Sequence, residues 1–294
     1  MKKILVALFA IVSIFSITAC AEMIFDYDFL NQLDETPVPE DPVIEADKVI
    51  YYTTTDGKVI YPKDFTNPIV YNVYKDGQGV LLCKNTIYTI PEGAFAGFSN
   101  LRTVVLPEKT NTLYARAFAS CSKLEYVILN KNLATIGERV FNGCTALNTI
   151  YFHDAVAVEK IGTYAFYGCS SLTTVIISDL SAWCRIEFKD EYSNPLSSTI
   201  ASMSHRGLKL KSLEISSDVT SIKQYAFYYL NGVFDITVGN AVTSIGEYAF
   251  FACDVQKLTL GRKVEKIAAK LCKAAEYRFG NDFSLQKWQT DGSK

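Results

Sequence analysis

From about Leu81 onward the hydrophobic positions of this 294-residue chain recur in a fixed frame. A small residue followed by phenylalanine marks it: Ala94-Phe95, Ala117-Phe118, Val140-Phe141, Ala165-Phe166, Ala226-Phe227 and Ala249-Phe250, at successive spacings of 23, 23, 25, 61 and 23 residues. Five residues before each phenylalanine stands an aliphatic residue (Ile90, Leu113, Ile136, Ile161, Ile222, Ile245), followed by glycine in three copies. After each anchor comes an alternating run: Leu101, Val104, Leu106; Leu124, Val127, Leu129; Leu147, Ile150, Phe152; Leu172, Val175, Ile177; then Val233, Ile236, Val238. Period two marks a strand with one buried face. The last full copy, Val255, Leu258, Leu260, sits one residue closer to its anchor. Self-similarity at such a period is the signature of a solenoid, in which each coil buries its apolar set against its neighbours.

The frame also shows where the array is irregular. Ile267 to Cys272 keeps it, with Cys272 in the place of phenylalanine, as suits a terminal coil. Within the 61-residue gap, counting back from Ile222 lands on Leu210, Leu213 and Ile215, so a degenerate coil is expected there beside an irregular stretch at 178–209. The array is expected to span 89–280 in about seven or eight coils, followed by a tail at 281–294. Residues 47–88 read as a β-rich cap: Val49 to Tyr52, Asp56-Gly57, Val59 to Tyr61, then Val70 to Tyr74 before Asp76-Gly77, a hairpin signal. Such a cap protects the first coil from exposing an apolar face and a bare strand edge.

Residues 1–19 have the order of an export signal: Lys2-Lys3, an apolar run from Ile4 to Ile17, then small residues. That run is too short for a bilayer core about 30 Å thick. Ile17-Thr18-Ala19-Cys20 resembles a bacterial lipobox, which makes Cys20 the lipidated first residue of the mature chain. Residues 20–46, acidic and rich in proline around Asp34 to Pro42, read as a flexible tether. Without Lys2 and Lys3 the chain has 27 basic against 31 acidic residues, which gives no footprint for nucleic acid.

The unit Ile-Gly-x-x-Ala-Phe-x-x-Cys-x-x-Leu-x-x-Val-x-Leu resembles the BspA-type leucine-rich repeat of bacterial surface proteins, and Ile161 to Ile177 matches it almost position by position. The resemblance covers about Thr89 to Cys272. Trp183-Cys184-Arg185-Ile186 through Ser193-Asn194-Pro195-Leu196 is similar to the long inserted repeat of that family, and Ile50 to Lys58 to the segment that precedes such arrays in lipoproteins. The resemblance implies an α/β leucine-rich-repeat right-handed solenoid with an N-terminal β-hairpin cap. It also implies a surface adhesin, lipid-anchored in the outer membrane, whose partners are host or bacterial surface proteins and whose only membrane contact is the lipid.

Candidate chemistry is sparse. Cys121, Cys144, Cys169 and Cys253 form a column three residues after the anchors, where other coils have Phe98 and Leu230. A position that accepts such residues reads as core, with cysteine as a small hydrophobe. Helices on the convex side, expected about 8 to 10 Å apart, would hold these cysteines beyond disulfide reach. No Cys-x-x-Cys suggests zinc, and no metal or other cofactor is expected. A pairing among Cys83, Cys184 and Cys272 stays open. The two histidines, His153 and His205, fall in a loop and in the irregular stretch, and no nucleophile elbow, metalloprotease motif or phosphate loop occurs. The sequence therefore argues for a binding protein rather than an enzyme.

Residues between the buried strand positions must project from the opposite, concave face, where solenoids recognise partners. In the first four coils they include Val105, Tyr126, Ile128, Tyr151 and Ile176, an apolar stripe; later coils present Ser212, Glu214, Asp235, Thr237, Lys257 and Thr259. The stripe is the first candidate site. The second is the insert, around Trp183, Tyr192 and His205, whose aromatics suit the alternative reading of a glycan-binding or envelope-structural lipoprotein.

Overall fold

The computed structural model describes residues 45–152, 157–197, 201–205, 208–268, 270–271 and 276–279. The export signal, Cys20, the tether up to residue 44, His153, Cys272 and the tail lie outside the described residues.

The cap consists of β1 (Val49–Thr54), β2 (Ile69–Lys75) and β3 (Gln78–Cys83). β2 and β3 pair antiparallel with Lys75 opposite Gln78. The two residues between them, Asp76 and Gly77, have φ of 49° and 84°, the left-handed pair that matches the twist of the flanking strands. Val59 to Tyr61, read from the sequence as strand, forms none. The Tyr52 hydroxyl claims it instead: the Ile60 N–H donates to that oxygen (3.3 Å), and the hydroxyl donates to Asn72 Oδ1 (2.8 Å). A Cβ on Gly79 would lie 2.2 Å from the Tyr52 ring, so only glycine fits there.

The array follows as alternating short and long strands: β4 (Thr89–Ile90), β5 (Leu101–Val105), β6 (Thr112–Leu113), β7 (Tyr126–Leu129), β8 (Thr135–Ile136), β9 (Thr149–Phe152), β10 (Lys160–Ile161) and β11 (Thr174–Ile177). The insert supplies α1 (Leu180–Arg185), β12 (Glu187–Phe188), β13 (Ser202–His205) and β14 (Leu208–Lys209). Then come β15 (Ser212–Ile215), β16 (Ser221–Ile222), β17 (Asp235–Val238), β18 (Ser244–Ile245), β19 (Lys257–Leu260), β20 (Lys266–Ile267) and β21 (Glu276–Phe279). The result is a parallel β-solenoid of about seven turns. One sheet runs β14-β13-β11-β9-β7-β5-β1-β3-β2, so β1 pairs antiparallel with β5 and covers the array's first edge. The remaining sheets are β12-β10-β8-β6-β4, β15-β17-β19-β21 and β16-β18-β20.

The helices expected on the convex side are absent: among the described residues α1 is the only α-helix, and the two short 3-10 turns, Glu191–Ser193 and Pro195–Ser197, both belong to the insert. Each coil turns through two left-handed residues flanking its anchor, such as Arg139 (φ 54°) and Gly143 (φ 72°) around Phe141, and a positive φ ends a helix. Coils therefore approach at β spacing. The anchor rings stack face to face, Phe95 on Phe118 at 5.1 Å, Phe118 on Phe141 at 5.7 Å, Phe141 on Phe166 at 5.3 Å and Phe227 on Phe250 at 5.3 Å. Each anchor N–H donates to the residue before the next anchor, as Phe118 does to the Val140 carbonyl at 3.0 Å and Phe141 to that of Ala165 at 2.8 Å.

The insert is itself a coil. β12 pairs with β10 in the short-strand sheet and β13 pairs with β11 in the long-strand sheet. It has no anchor phenylalanine, yet Phe166 still donates to the Tyr192 carbonyl (2.9 Å). On its far side the Ala226 carbonyl receives side chains instead: the Trp183 indole N–H at 2.7 Å and Asn194 Nδ2 at 3.1 Å. The degenerate coil begins at β15, with Leu213 and Ile215 buried as the frame requires.

Candidate functional site

Alternation along a strand sends successive side chains to opposite faces. Val104, Val127, Ile150 and Val175 are fully buried in the core, whereas Val105, Tyr126, Ile128, Tyr151 and Ile176 point outward and are half-buried. Parallel pairing without slippage sets Val105 opposite Ile128, Ile128 opposite Tyr151, and Tyr151 opposite Ile176. The cap extends this row, because Tyr51 of β1 lies opposite Val105, and Ser204 of β13 closes it beside Ile176. Tyr51 was missed from sequence: its place in a period-two run was visible, but not the antiparallel docking of a cap strand on the first coil.

A second row runs alongside, from Thr53 through Thr103, Tyr126, Thr149 and Thr174 to Ser202. The Thr53 and Thr103 hydroxyls share a hydrogen bond of 2.7 Å. At the strand entrance, Arg102 pairs with Glu125 of the next coil at 2.9 Å. The face thus offers one apolar row for a partner's aliphatic or aromatic side chains; the row beside it is one of hydroxyls, of which Thr103 and Thr149 are buried and bonded within the chain, and neither row holds an acid or a base. In the second block, Ser212, Glu214, Asp235, Thr237 and Lys257 are exposed and Thr259 is half-buried. This change of character coincides with the break between the β13–β14 sheet edge and β15.

The insert residues do not form one site. Trp183, read from the sequence as a possible aromatic platform, is 1% exposed, edge-on to Phe152 at 5.2 Å and 5.4 Å from Phe188. The reason is the break in the coil-to-coil ladder, which its indole N–H fills. Tyr192 lies elsewhere, on the turns, stacked on Tyr164 at 5.6 Å and edge-on to Tyr167 at 5.0 Å. His205 is half-buried at the end of β13, where a ring nitrogen lies 2.9 Å from the Ser178 carbonyl oxygen.

The cysteine column is chemically quiet. Cys121, Cys144 and Cys169 are buried thiols, as are Cys83 and Cys184, while Cys253 is half-buried and its thiol donates to the Phe227 carbonyl at 2.9 Å. Burial pushes the Cys121 and Cys169 thiols up to about 12, so the nucleophilic thiolate is suppressed. The wide helical spacing expected between these cysteines is not found, since successive coils pair strand to strand at β spacing. Among the described residues no three His, Cys, Asp or Glu side chains group as a metal site.

A family model for the BspA type leucine rich repeat region matches residues 80–193 and 198–277, in six copies. The chain belongs to the BspA-type leucine-rich-repeat family. Repeat proteins of this kind are scaffolds in which fold and surface, rather than a catalytic cleft, are the working parts. No curated protein matches the chain in sequence. Among solved structures it is similar to a leucine rich cell surface protein from Faecalibacterium prausnitzii A2-165, at 17% identity over 82% of this chain and 77% of that one, TM-score 0.34. It is also similar to the T. pallidum leucine rich repeat protein (19% identity, 60% and 72% covered, TM-score 0.30) and to the pneumococcal vaccine antigen PcpA (14%, 69% and 58%, TM-score 0.30). Among the described residues no helix is long and apolar enough to cross a membrane.

Proposed function

We propose that this BspA-type chain is a non-enzymatic adhesin. In this reading it is held on the bacterial outer membrane by a lipid on Cys20, and it binds a host or bacterial surface protein through the outward face of its first repeat block. The observation that carries the reading is the row Tyr51, Val105, Ile128, Tyr151, Ile176: five apolar or aromatic side chains in register on consecutive strands of one sheet. A rigid scaffold presenting such a row loses little conformational entropy on binding, and tyrosines at the centre of an apolar patch are the usual energetic anchors. The glycan reading relied on Trp183 beside Tyr192, and the burial of Trp183 removes that platform.

The test is capture of surface proteins from host matrix and epithelial extracts by the chain from Ala21 onward. Wild type is compared with Tyr126→Ala/Tyr151→Ala and with Glu214→Gln/Asp235→Asn, after circular dichroism shows that all three fold. Specific capture that is lost only in the tyrosine pair supports the proposal. No capture, or capture lost only in the acidic pair, overturns it.

A further inference from the structure

The cap imitates a coil, but not all of one. On the long-strand side β1 takes the place of a preceding strand beside β5. At the turn, Lys63 N–H donates to the Ala94 carbonyl at 2.8 Å, as an anchor N–H does between regular coils, and the Phe65 ring meets Phe95 edge-on at 6.5 Å. The short strand has no substitute. β4 stands at the end of its sheet, and among the described residues β6 is its only strand partner.

The ladder of later coils shows what this edge leaves open. Thr135 N–H donates back to the Asn111 carbonyl at 3.0 Å and Lys160 to that of Ala134 at 3.3 Å; two residues on, Gly137 donates to Leu113 and Gly162 to Ile136, both at 2.8 Å. The residues of the first coil at these two columns are Thr89 and Pro91. Proline has no N–H, so the second donor is removed, a usual way to blunt an edge. The Thr89 N–H remains, and among the described residues no bond from the cap meets it. A cavity of about 300 Å³ lies at this edge, between Tyr88, Thr89 and Pro91 of the array and residues 65–67 and 85–87 of the cap. Its cap wall is fixed, because Asn67 Nδ2 donates to the Asn85 carbonyl at 2.8 Å and Asn85 N–H donates to Asn67 Oδ1 at 3.1 Å.

We infer that this slot binds a short, extended, uncharged peptide segment of a partner protein, which pairs with β4 as the missing short strand. A parallel neighbour offers Thr89 the two bonds it lacks: a carbonyl for its N–H, and an N–H two residues further on for its carbonyl. The volume is at the small end for a ligand site, enough for a few residues of extended chain, and none of the lining residues is charged. A sugar has no donor and acceptor at that fixed spacing. The site is separate from the outward row of the long strands and does not depend on it.

The experiment titrates the purified full chain with N-acetyl-Ala-Thr-Ile-amide, the sequence that this chain's own third coil places in the same column at 134–136. NMR follows the Thr89 backbone amide and the Asn85 side-chain amide. Saturable shifts confined to these signals are expected, with a dissociation constant of order millimolar. The same peptide N-methylated at isoleucine cannot donate to the Thr89 carbonyl and should bind roughly tenfold more weakly or not at all. Thr89→Pro removes the open donor without touching the bonds to β6 and should abolish the Asn85 response; the methylated peptide tests the same pairing on the unaltered chain. No saturable shift, equal binding of the methylated peptide, an unchanged response in folded Thr89→Pro, or equal shifts with methyl glucoside would overturn the site.

Discussion

The indole N–H of Trp183 donates to the carbonyl oxygen of Ala226 at 2.7 Å. In the regular coils the equivalent carbonyl is met by an anchor N–H, as the Ala249 carbonyl is by Phe227 at 2.8 Å. The insert has no anchor, and buried polar groups left without a partner are costly. Trp183 and Asn194 together close that break, which makes the insert a structural splice between two repeat blocks.

Trp183→Phe keeps the buried ring and leaves the Ala226 carbonyl with Asn194 Nδ2 at 3.1 Å. We expect a loss of about 1 kcal/mol by denaturant titration, and more than the sum of the single losses in Trp183→Phe/Asn194→Ala, where the carbonyl is orphaned.

Phe118 is fully buried between the rings of Phe95 and Phe141. Phe118→Ala should cost about 3 to 5 kcal/mol in equilibrium unfolding, because a stacked ladder cannot collapse around one missing ring.

A Cβ at Gly162 would fall 2.6 Å from the Glu138 nitrogen and 2.7 Å from the Gly137 carbonyl carbon, both backbone atoms of the preceding coil. Gly162→Ala should lower the melting temperature through a loss of about 1 to 3 kcal/mol. Gly77→Ala, with nothing within 4 Å of its Cβ, loses only what its φ of 84° dictates.

The Cys144 thiol donates to the Phe118 carbonyl at 3.1 Å, and Cys169 repeats the bond to Phe141 at 3.2 Å. Iodoacetamide at pH 8 should leave Cys121, Cys144 and Cys169 unmodified in native protein and label them after denaturation. Burial raises all three folded pKa values, those of Cys121 and Cys169 to about 12, so the stability they contribute is complete below the unfolded thiol value near 9 and is lost as pH rises through the raised folded values. Unfolding free energy measured between pH 8 and 11 should fall with pH, and less steeply in Cys144→Ala.

The coil frame was legible because hydrophobic periodicity, which the sequence displays directly, decides burial: every anchor from Phe95 to Phe250 is buried. The outward row was legible for the same reason, since period two assigns Val105, Ile128 and Tyr151 to one face. The convex side was misread as helical because the left-handed turn positions are held by Arg116, Arg139 or Tyr164, residue types that do not advertise a positive φ as glycine does. Trp183 was misread because its partner, Ala226, lies 43 residues away. Tyr51 and the stack of Tyr192 on Tyr164 depend on which coils become neighbours across the cap and the insert, which no local pattern specifies.

The central claim is that the outward row of the first block meets the partner. A photo-crosslinking amino acid placed at Ile128, and in a control at Lys257, tests it on intact cells exposed to matrix and epithelial extracts. An adduct of one defined mass from position 128 and none from position 257 is the expected result; adducts from position 257 alone, or equally from both, would contradict it.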